Sequence, residues 1–174
     1  CLLSRGLGDV YKRQIPTIVT SVPRAAFVEY TAEVKKNVTV PVIASNRINM
    51  PDTAEEILAS GQADMVQMAR PLLADAFWVN KTATNRVDEI NTCIACNQAC
   101  LDHTFKNQRA TCLVNPRAGY ETELVYVKTK KPKRIAVVGG GVAGMSAATV
   151  AAGRGHEVTP VSYTHLRAHE TRGN

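Results

Sequence analysis

The sequence predicts an α/β chain: parallel βα units, a cysteine-rich metal-binding segment, then the first βαβ unit of a nucleotide-binding domain. Three observations carry that expectation. Short β-branched runs alternate with helix-spaced segments over residues 15–84. Cys93, Cys96, Cys100 and Cys112 follow, spaced as C-x2-C-x3-C-x11-C. A last apolar run, residues 135–138, enters the glycine pattern Gly139-x-Gly141-x-x-Gly144.

The elements follow in order. Residues 15–20 (IPTIVT) read as a strand end, and residues 24–36 as a helix with Ala26, Phe27, Tyr30 and Val34 on its apolar face. Residues 38–45 (VTVPVIAS) read as a strand buried on both sides. A helix over residues 51–60 has Asn49 as its cap, Pro51 in its first turn and Gly61 as its stop. Residues 63–69 (ADMVQMA) read as a second buried strand and residues 72–84 as another helix. Such alternation suits the end of a (β/α)8 barrel or part of an open sheet. The strand exits favour the barrel. Asn46-Arg47-Ile48-Asn49 follows one strand and Ala69-Arg70-Pro71 the next. Arginines at equivalent carboxyl ends suit a phosphate dianion. Surface helix caps or ion pairs are the competing reading for both.

Thiolates are soft ligands of zinc and of iron–sulfur centres. Three close cysteines and one remote one match the corners of a [4Fe–4S] cube, whereas structural zinc more often takes two separated pairs. Disulfides are disfavoured, because no signal peptide is visible and the cysteines cluster tightly. Residues 120–133 read as a polar connector. The strand that follows, buried in this reading, runs into the glycine turn. Gly139 allows the bend, Gly141 lets backbone approach a pyrophosphate, and Gly144 allows close helix–strand packing. Gly155 stops that helix, and residues 156–159 begin another strand with His156 as a turn residue. The acidic residue that should end it is missing.

At 174 residues and net charge +6, the chain has room for one domain or pieces of two. No apolar run reaches membrane-spanning length. Lys128, Lys130, Lys131, Lys133 and Arg134 have no interleaved aromatic residues, so they read as a solvated linker rather than a nucleic-acid platform. Residues 1–14 and 161–174 lack periodicity and resemble translated adaptor sequence, so they are set aside as artefact. Cys1, His165, His169 and Glu170 are set aside with them, and the rest is expected to be truncated on both sides.

ASNRIN, DMVQMARPLLAD, INTCIACNQACLDH, CLVNPRAGYETEL and RIAVVGGGVAGMSAA together resemble the bacterial 2,4-dienoyl-CoA reductase branch of the old yellow enzyme group. Trimethylamine dehydrogenase is similar in architecture. The resemblance implies the C-terminal βα units of an FMN-binding TIM barrel over residues 15–90 and a [4Fe–4S] segment over residues 91–120. It implies a linker over residues 121–133 and the start of a Rossmann-like FAD domain over residues 134–160. Arg47, Ala69 and Arg70 match FMN-contacting positions, the four cysteines match the cluster ligands, and Gly139, Gly141 and Gly144 match the FAD turn. The implied activity is NADPH-dependent reduction of an activated alkene, an acyl-CoA, through FAD, [4Fe–4S] and FMN in the cytoplasm, with no nucleic-acid or membrane partner. A family histidine stretch is replaced by Tyr11-Lys12-Arg13-Gln14. The proton-donating tyrosine and the NADPH domain have no counterpart here, so no catalytic residue is assigned. Amine dehydrogenation, a bare electron-transfer module and an inactive fragment are the rival readings.

Overall fold

Where these runs become structure is set by which backbone groups find partners. The computed structural model describes residues 18–162. It divides into two compact units, Cys1–Glu121 and Thr122–Asn174. The expectations for residues 1–14, for 15–17 and for 163–174, with Cys1, His165, His169 and Glu170, lie outside the described residues.

In the first unit, helix α1 (Val28–Lys36) places Glu29 in its first turn and Lys35 and Lys36 in its last, which complements the helix dipole. It starts later than the periodicity predicts. Ala25 takes a left-handed φ of +54° and donates its N–H to Arg47 O, so the chain turns before the helix can begin. The expected apolar face is also corrected: Tyr30 and Val34 are exposed and Val28 is the residue α1 buries.

Strand β1 (Ile43–Ala44) pairs in parallel with β2 (Met65–Val66), in register Ile43 with Met65 and Ala44 with Val66. Both are shorter than residues 38–45 and 63–69. Pro41 has no N–H to give to a ladder, and each strand has one partner among the described residues. The two-sided burial also fails. Val40, Ile43 and Met65 are exposed, while Ala44 and Ala63 are buried. Residues 18–20 form no strand.

Between the strands lies α2 (Pro51–Ala59), which buries Pro51, Ala54 and Ile57 along one face. Pro51 opens the helix, where a missing N–H costs nothing. The cap is Met50, without a side-chain bond, and not Asn49. Gly61, at φ +70°, closes the helix as expected. After β2 the expected single helix over residues 72–84 is two, α3 (Arg70–Ala74) and α4 (Trp78–Ala83). Asp75 breaks it. Its backbone is extended, and its carboxylate accepts the N–H of Phe77 at 2.9 Å, offering that N–H an alternative to the helix. A core of Val28, Ala44, Ile48, Ala54, Ile57, Ala63, Trp78 and Ile90 fills the space beneath these elements. Burying Ile48 alone contributes about 1.5–3 kcal/mol. A turn of 3-10 helix (Val87–Glu89) leads to the cysteine segment, which carries the short helix α5 (Leu101–Phe105).

In the second unit, residues 122–133 form no helix or strand. Strand β3 (Arg134–Val138) pairs in parallel with β4 (Glu157–Val161), and α6 (Val142–Gly153) connects them. His156 is a turn residue as expected: its Nδ1 accepts the Lys133 N–H at 3.2 Å and ties the starts of the two strands together. Burial of β3 does not follow. Val138 is exposed and α6 buries none of its residues, because two strands and one helix cover a single face of each other. Among the described residues no helix is long and apolar enough to cross a membrane.

Candidate functional site

Parallel pairing of β1 and β2 brings their carboxyl-terminal loops side by side. The loops enclose a cleft of about 180 Å³ lined by residues 45–49, residues 67–71, Cys93 and Ala95. Arg47, Ala69 and Arg70 are all on its wall. Two arginines and no carboxylate face it, so the cleft is electropositive. Asn46 and Arg47 both adopt left-handed backbone, φ +75° and +55°, which turns the chain sharply at the strand exit. The Arg47 guanidinium donates to Val19 O at 2.6 Å, yet its Nε is buried without an acceptor. The Arg70 guanidinium donates to Ile18 O at 3.0 Å and also to Asn97 Oδ1. A buried, unmatched guanidinium N–H is costly unless an acceptor reaches it. The wall therefore fits an anionic oxygen such as that of a phosphate.

Behind this cleft lies a small hollow of about 10 Å³. Cys93, Cys96, Cys100 and Cys112 all line it, with Leu73, Ile94, Leu113 and Val114 supplying apolar cover. All four are free thiols. Left-handed residues on either side of Cys96, Ala95 at φ +54° and Asn97 at +62°, coil the loop so that neighbouring cysteines face inward. Cys112 is returned to the same place by Thr111, whose N–H bonds Ala99 O at 2.8 Å. Asn115 Nδ2 then anchors the chain to Leu73 O at 3.0 Å. Burial pushes the Cys112 thiol up, the N–H groups of Val114 and Asn115 pull it back, and Cys93 and Cys100 push it up again. Sharing that influence places the thiols in one electrostatic neighbourhood. A bound cation would reverse the balance, since coordination deprotonates thiols. Among the described residues no three acidic, histidine or cysteine side chains converge on a single ion point. Four thiolates are a soft donor set of the kind that zinc and iron–sulfur centres both take.

Three residues to which the sequence reading gave no part in the site hold this region together. Asn49, buried, donates from Nδ2 to Cys93 O at 2.8 Å, and its own carbonyl accepts the Trp78 indole N–H at 3.3 Å. Asp75 accepts the Asn91 N–H at 2.9 Å and the Lys81 ammonium at 2.6 Å. Burial alone would raise its carboxyl, but Lys81 and the N–H groups of Asn91 and Phe77 hold it below the usual carboxylate range. Asn97 accepts from Arg70. Asp75 had a sequence signal, an Asp just ahead of an apolar helix start. The two asparagines had none.

In the second unit the three glycines behave as the motif requires. Gly139 sits at φ +113°, open only to glycine at low cost. A Cβ on Gly144 would stand 2.0 Å from Gly139 O, so the helix packs on the turn through bare backbone. Gly141 is the cap residue of α6. A turn of this shape leaves backbone N–H groups at the start of α6 uncovered by side chains.

Comparison with known proteins finds two family matches along the chain. Residues 6–89 match the NADH:flavin oxidoreductase / NADH oxidase family, and residues 107–172 match the alanine dehydrogenase/PNT C-terminal domain. The chain is 47% identical over 152 residues to a metal reductase of Desulforamulus reducens, covering 87% of this chain and 23% of that protein. It is 39% identical over 136 residues to a cinnamate reductase of Clostridium sporogenes, covering 78% of this chain and 20% of that protein. A solved 2-naphthoyl-CoA reductase in complex with 2-naphthoyl-CoA superposes with a TM-score of 0.80 at 36% identity, over 84% of this chain and 23% of that one. The chain therefore spans under a quarter of the length of these relatives.

Proposed function

We propose that this chain, whose residues 6–89 match the NADH:flavin oxidoreductase / NADH oxidase family, is part of an iron–sulfur flavoenzyme that reduces activated alkenes. The single observation that carries this reading is the shared wall. Arg70 and Cys93 line both the electropositive cleft and the four-thiol hollow, so an anionic cofactor and a cysteine-held cluster would be immediate neighbours. The support from relatives is that two reductases named for cinnamate and naphthoyl-CoA share the segment.

Each part of the chain has a defined job in this reading. The barrel-end loops bind the FMN phosphate: Arg47 offers its unmatched Nε, Arg70 its fork and Ala69 the backbone start of α3. Cys93, Cys96, Cys100 and Cys112 ligate a [4Fe–4S] cluster, with the apolar side chains around them excluding water. Gly139, Gly141 and Gly144 let the FAD pyrophosphate approach backbone N–H groups at the start of α6. When bound, these groups supply hydride transfer at the flavins and single-electron transfer between them. The residues described here hold the three groups in order; the acid that protonates the alkene is not among them. NADPH as donor, a 2,4-dienoyl-CoA as acceptor and a cytoplasmic setting complete the proposal.

The test, on the full-length protein that carries this segment, is NADPH oxidation with 2,4-dienoyl-CoA or cinnamate as acceptor and, separately, reduction of an added one-electron acceptor dye by a tertiary amine. Alkene-dependent turnover, with iron, sulfide, FMN and FAD in the purified protein, supports the reading. Turnover with the amine alone would replace the substrate and leave the electron path. The chain of 174 residues by itself, supplied with flavins, should turn over none of them.

A further inference from the structure

Arg70 touches more than a phosphate site requires. It lines the electropositive cleft and also the cysteine hollow, the only arginine or lysine on the wall of the latter. Its guanidinium is not free to leave. Asn97 Oδ1 and Ile18 O both accept from it, and Asn97 Nδ2 reaches the same Ile18 O at 3.4 Å, closing a triangle. Asn97 follows Cys96 directly and holds a left-handed φ of +62°, a conformation that asparagine tolerates better than most residues. Its place in the chain thus ties the position of one cationic side chain to the conformation of a ligand-bearing loop. Arg70 is half-buried, so its charge is not fully screened by solvent.

We propose that Arg70, pinned by Asn97, is a positioning residue for the cysteine centre, and that its charge raises the reduction potential of the cluster the four thiols hold. This rests on the reading of those cysteines as [4Fe–4S] ligands. The step concerned is uptake of one electron by the cluster, with no bond made or broken and no proton moved. The reduced form carries one more negative charge, so a fixed cation beside it favours reduction. Among the described residues, Arg70 is the charged one that the two walls share, so occupancy of the phosphate site would be felt electrostatically at the cluster. A dianion in the cleft offsets part of the arginine charge, so FMN binding and cluster potential should be linked.

The experiment is an anaerobic redox titration of the full-length holoprotein, followed by the electron paramagnetic resonance signal of the reduced cluster. Wild type is compared with Arg70→Gln, Arg70→Lys and Asn97→Gly. The glycine variant removes the acceptor while permitting the same backbone. Iron, labile sulfide and FMN are quantified in each. The expected result is a lower potential in Arg70→Gln at unchanged iron and sulfide. Arg70→Lys should recover much of it, because the charge returns, and Asn97→Gly should fall between. Flavin-depleted wild type should show a higher potential than the flavin-loaded form. Equal potentials in wild type, Arg70→Gln and Asn97→Gly, with clusters fully loaded, would overturn the proposal and leave the cluster assignment standing. If Arg70→Gln does not assemble, equal potentials in wild type and Asn97→Gly overturn it. Wild-type protein without labile sulfide would overturn the assignment itself, and this inference with it.

Discussion

The two units build their sites by opposite means. In the first, four thiols and two arginines converge on adjoining cavities over a buried core that includes Ala44, Ile48 and Trp78. In the second, neither β3 nor α6 has a buried residue, yet Gly139 holds its positive φ and Gly144 packs against the Gly139 carbonyl. The difference follows from what each site is made of. A backbone cradle needs only local dihedrals and a missing Cβ. A side-chain site needs residues far apart in sequence to be held within contact distance, and a packed core with buried polar ties does that. The second unit should therefore be insensitive to changes that disturb the first, and the reverse.

The largest expected effects come from the groups that would touch the cofactors. In the full-length protein, replacing any one of Cys93, Cys96, Cys100 or Cys112 with alanine should abolish the [4Fe–4S] signature and leave bound FAD in place, as measured by iron, sulfide and flavin content. Wild-type protein that takes up zinc and contains no labile sulfide would sink the cluster assignment. The mirror experiment is Gly144→Ala. Its Cβ would lie 2.0 Å from Gly139 O, a backbone atom that cannot swing aside. It should lose FAD while retaining cluster and FMN. Loss of all three groups together would show that the two units are not energetically separate.

Asp75 gives the next effect, confined to the first unit. Its carboxylate is buried, paired with Lys81 and bonded to the N–H of Asn91, two residues before the first cluster cysteine. Removing the carboxylate leaves Lys81 with the Glu89 carbonyl as acceptor but takes the acceptor from the N–H groups of Phe77 and Asn91, a cost of about 1–3 kcal/mol. Asp75→Ala should destabilise the cluster to denaturant by that order, followed by loss of visible absorbance. The pH dependence has a definite sign. The folded carboxyl titrates below its unfolded value. Its contribution is present above the unfolded value of about 3.9 and is lost as pH falls through the folded one. Acid bleaching of the cluster should therefore start at higher pH in Asp75→Ala. Identical acid profiles would remove Asp75 from the support of the cluster.

What the sequence made legible divides along the same line. The glycine turn, the parallel strand pairs and the gathering of the cysteines were readable, since each is written in local spacing or in residue types with one dominant use. The placement of Arg47 and Arg70 on one cleft was readable as well, because parallel βα units put equivalent loops at one end. Strand lengths were not. The run over residues 38–45 is rich in β-branched residues, but its ladder depends on partners that propensity does not reveal, and Pro41 interrupts it. Asn49 looked like a helix cap because it precedes Pro51. Its actual partner, Cys93 O, is 44 residues away, and no local pattern encodes such a pairing. The break at Asp75 was encoded, but apolar periodicity across residues 72–84 outweighed one capping residue.

The Asn49 tie supplies the smallest and most discriminating change. Trp78 donates its indole N–H to Asn49 O at 3.3 Å, and Asn49 in turn donates to Cys93 O. Trp78→Phe keeps an aromatic ring in the core but removes the donor. Asn49 O would then lose its indole partner in a buried setting, a cost of about 1–3 kcal/mol, with the long bond favouring the lower end. The backbone at Asn49 should loosen first, then the peptide it holds at Cys93. Amide hydrogen exchange of the holoprotein should accelerate at Cys93 to Asn97 while the glycine turn of the second unit is unchanged. Arg47, two residues from Asn49, should show weaker FMN retention for the same reason. If exchange at the cysteine loop matches wild type while global stability falls, Trp78 serves the core alone, and the side-chain site of the first unit depends less on its polar ties than the comparison of the two units implies.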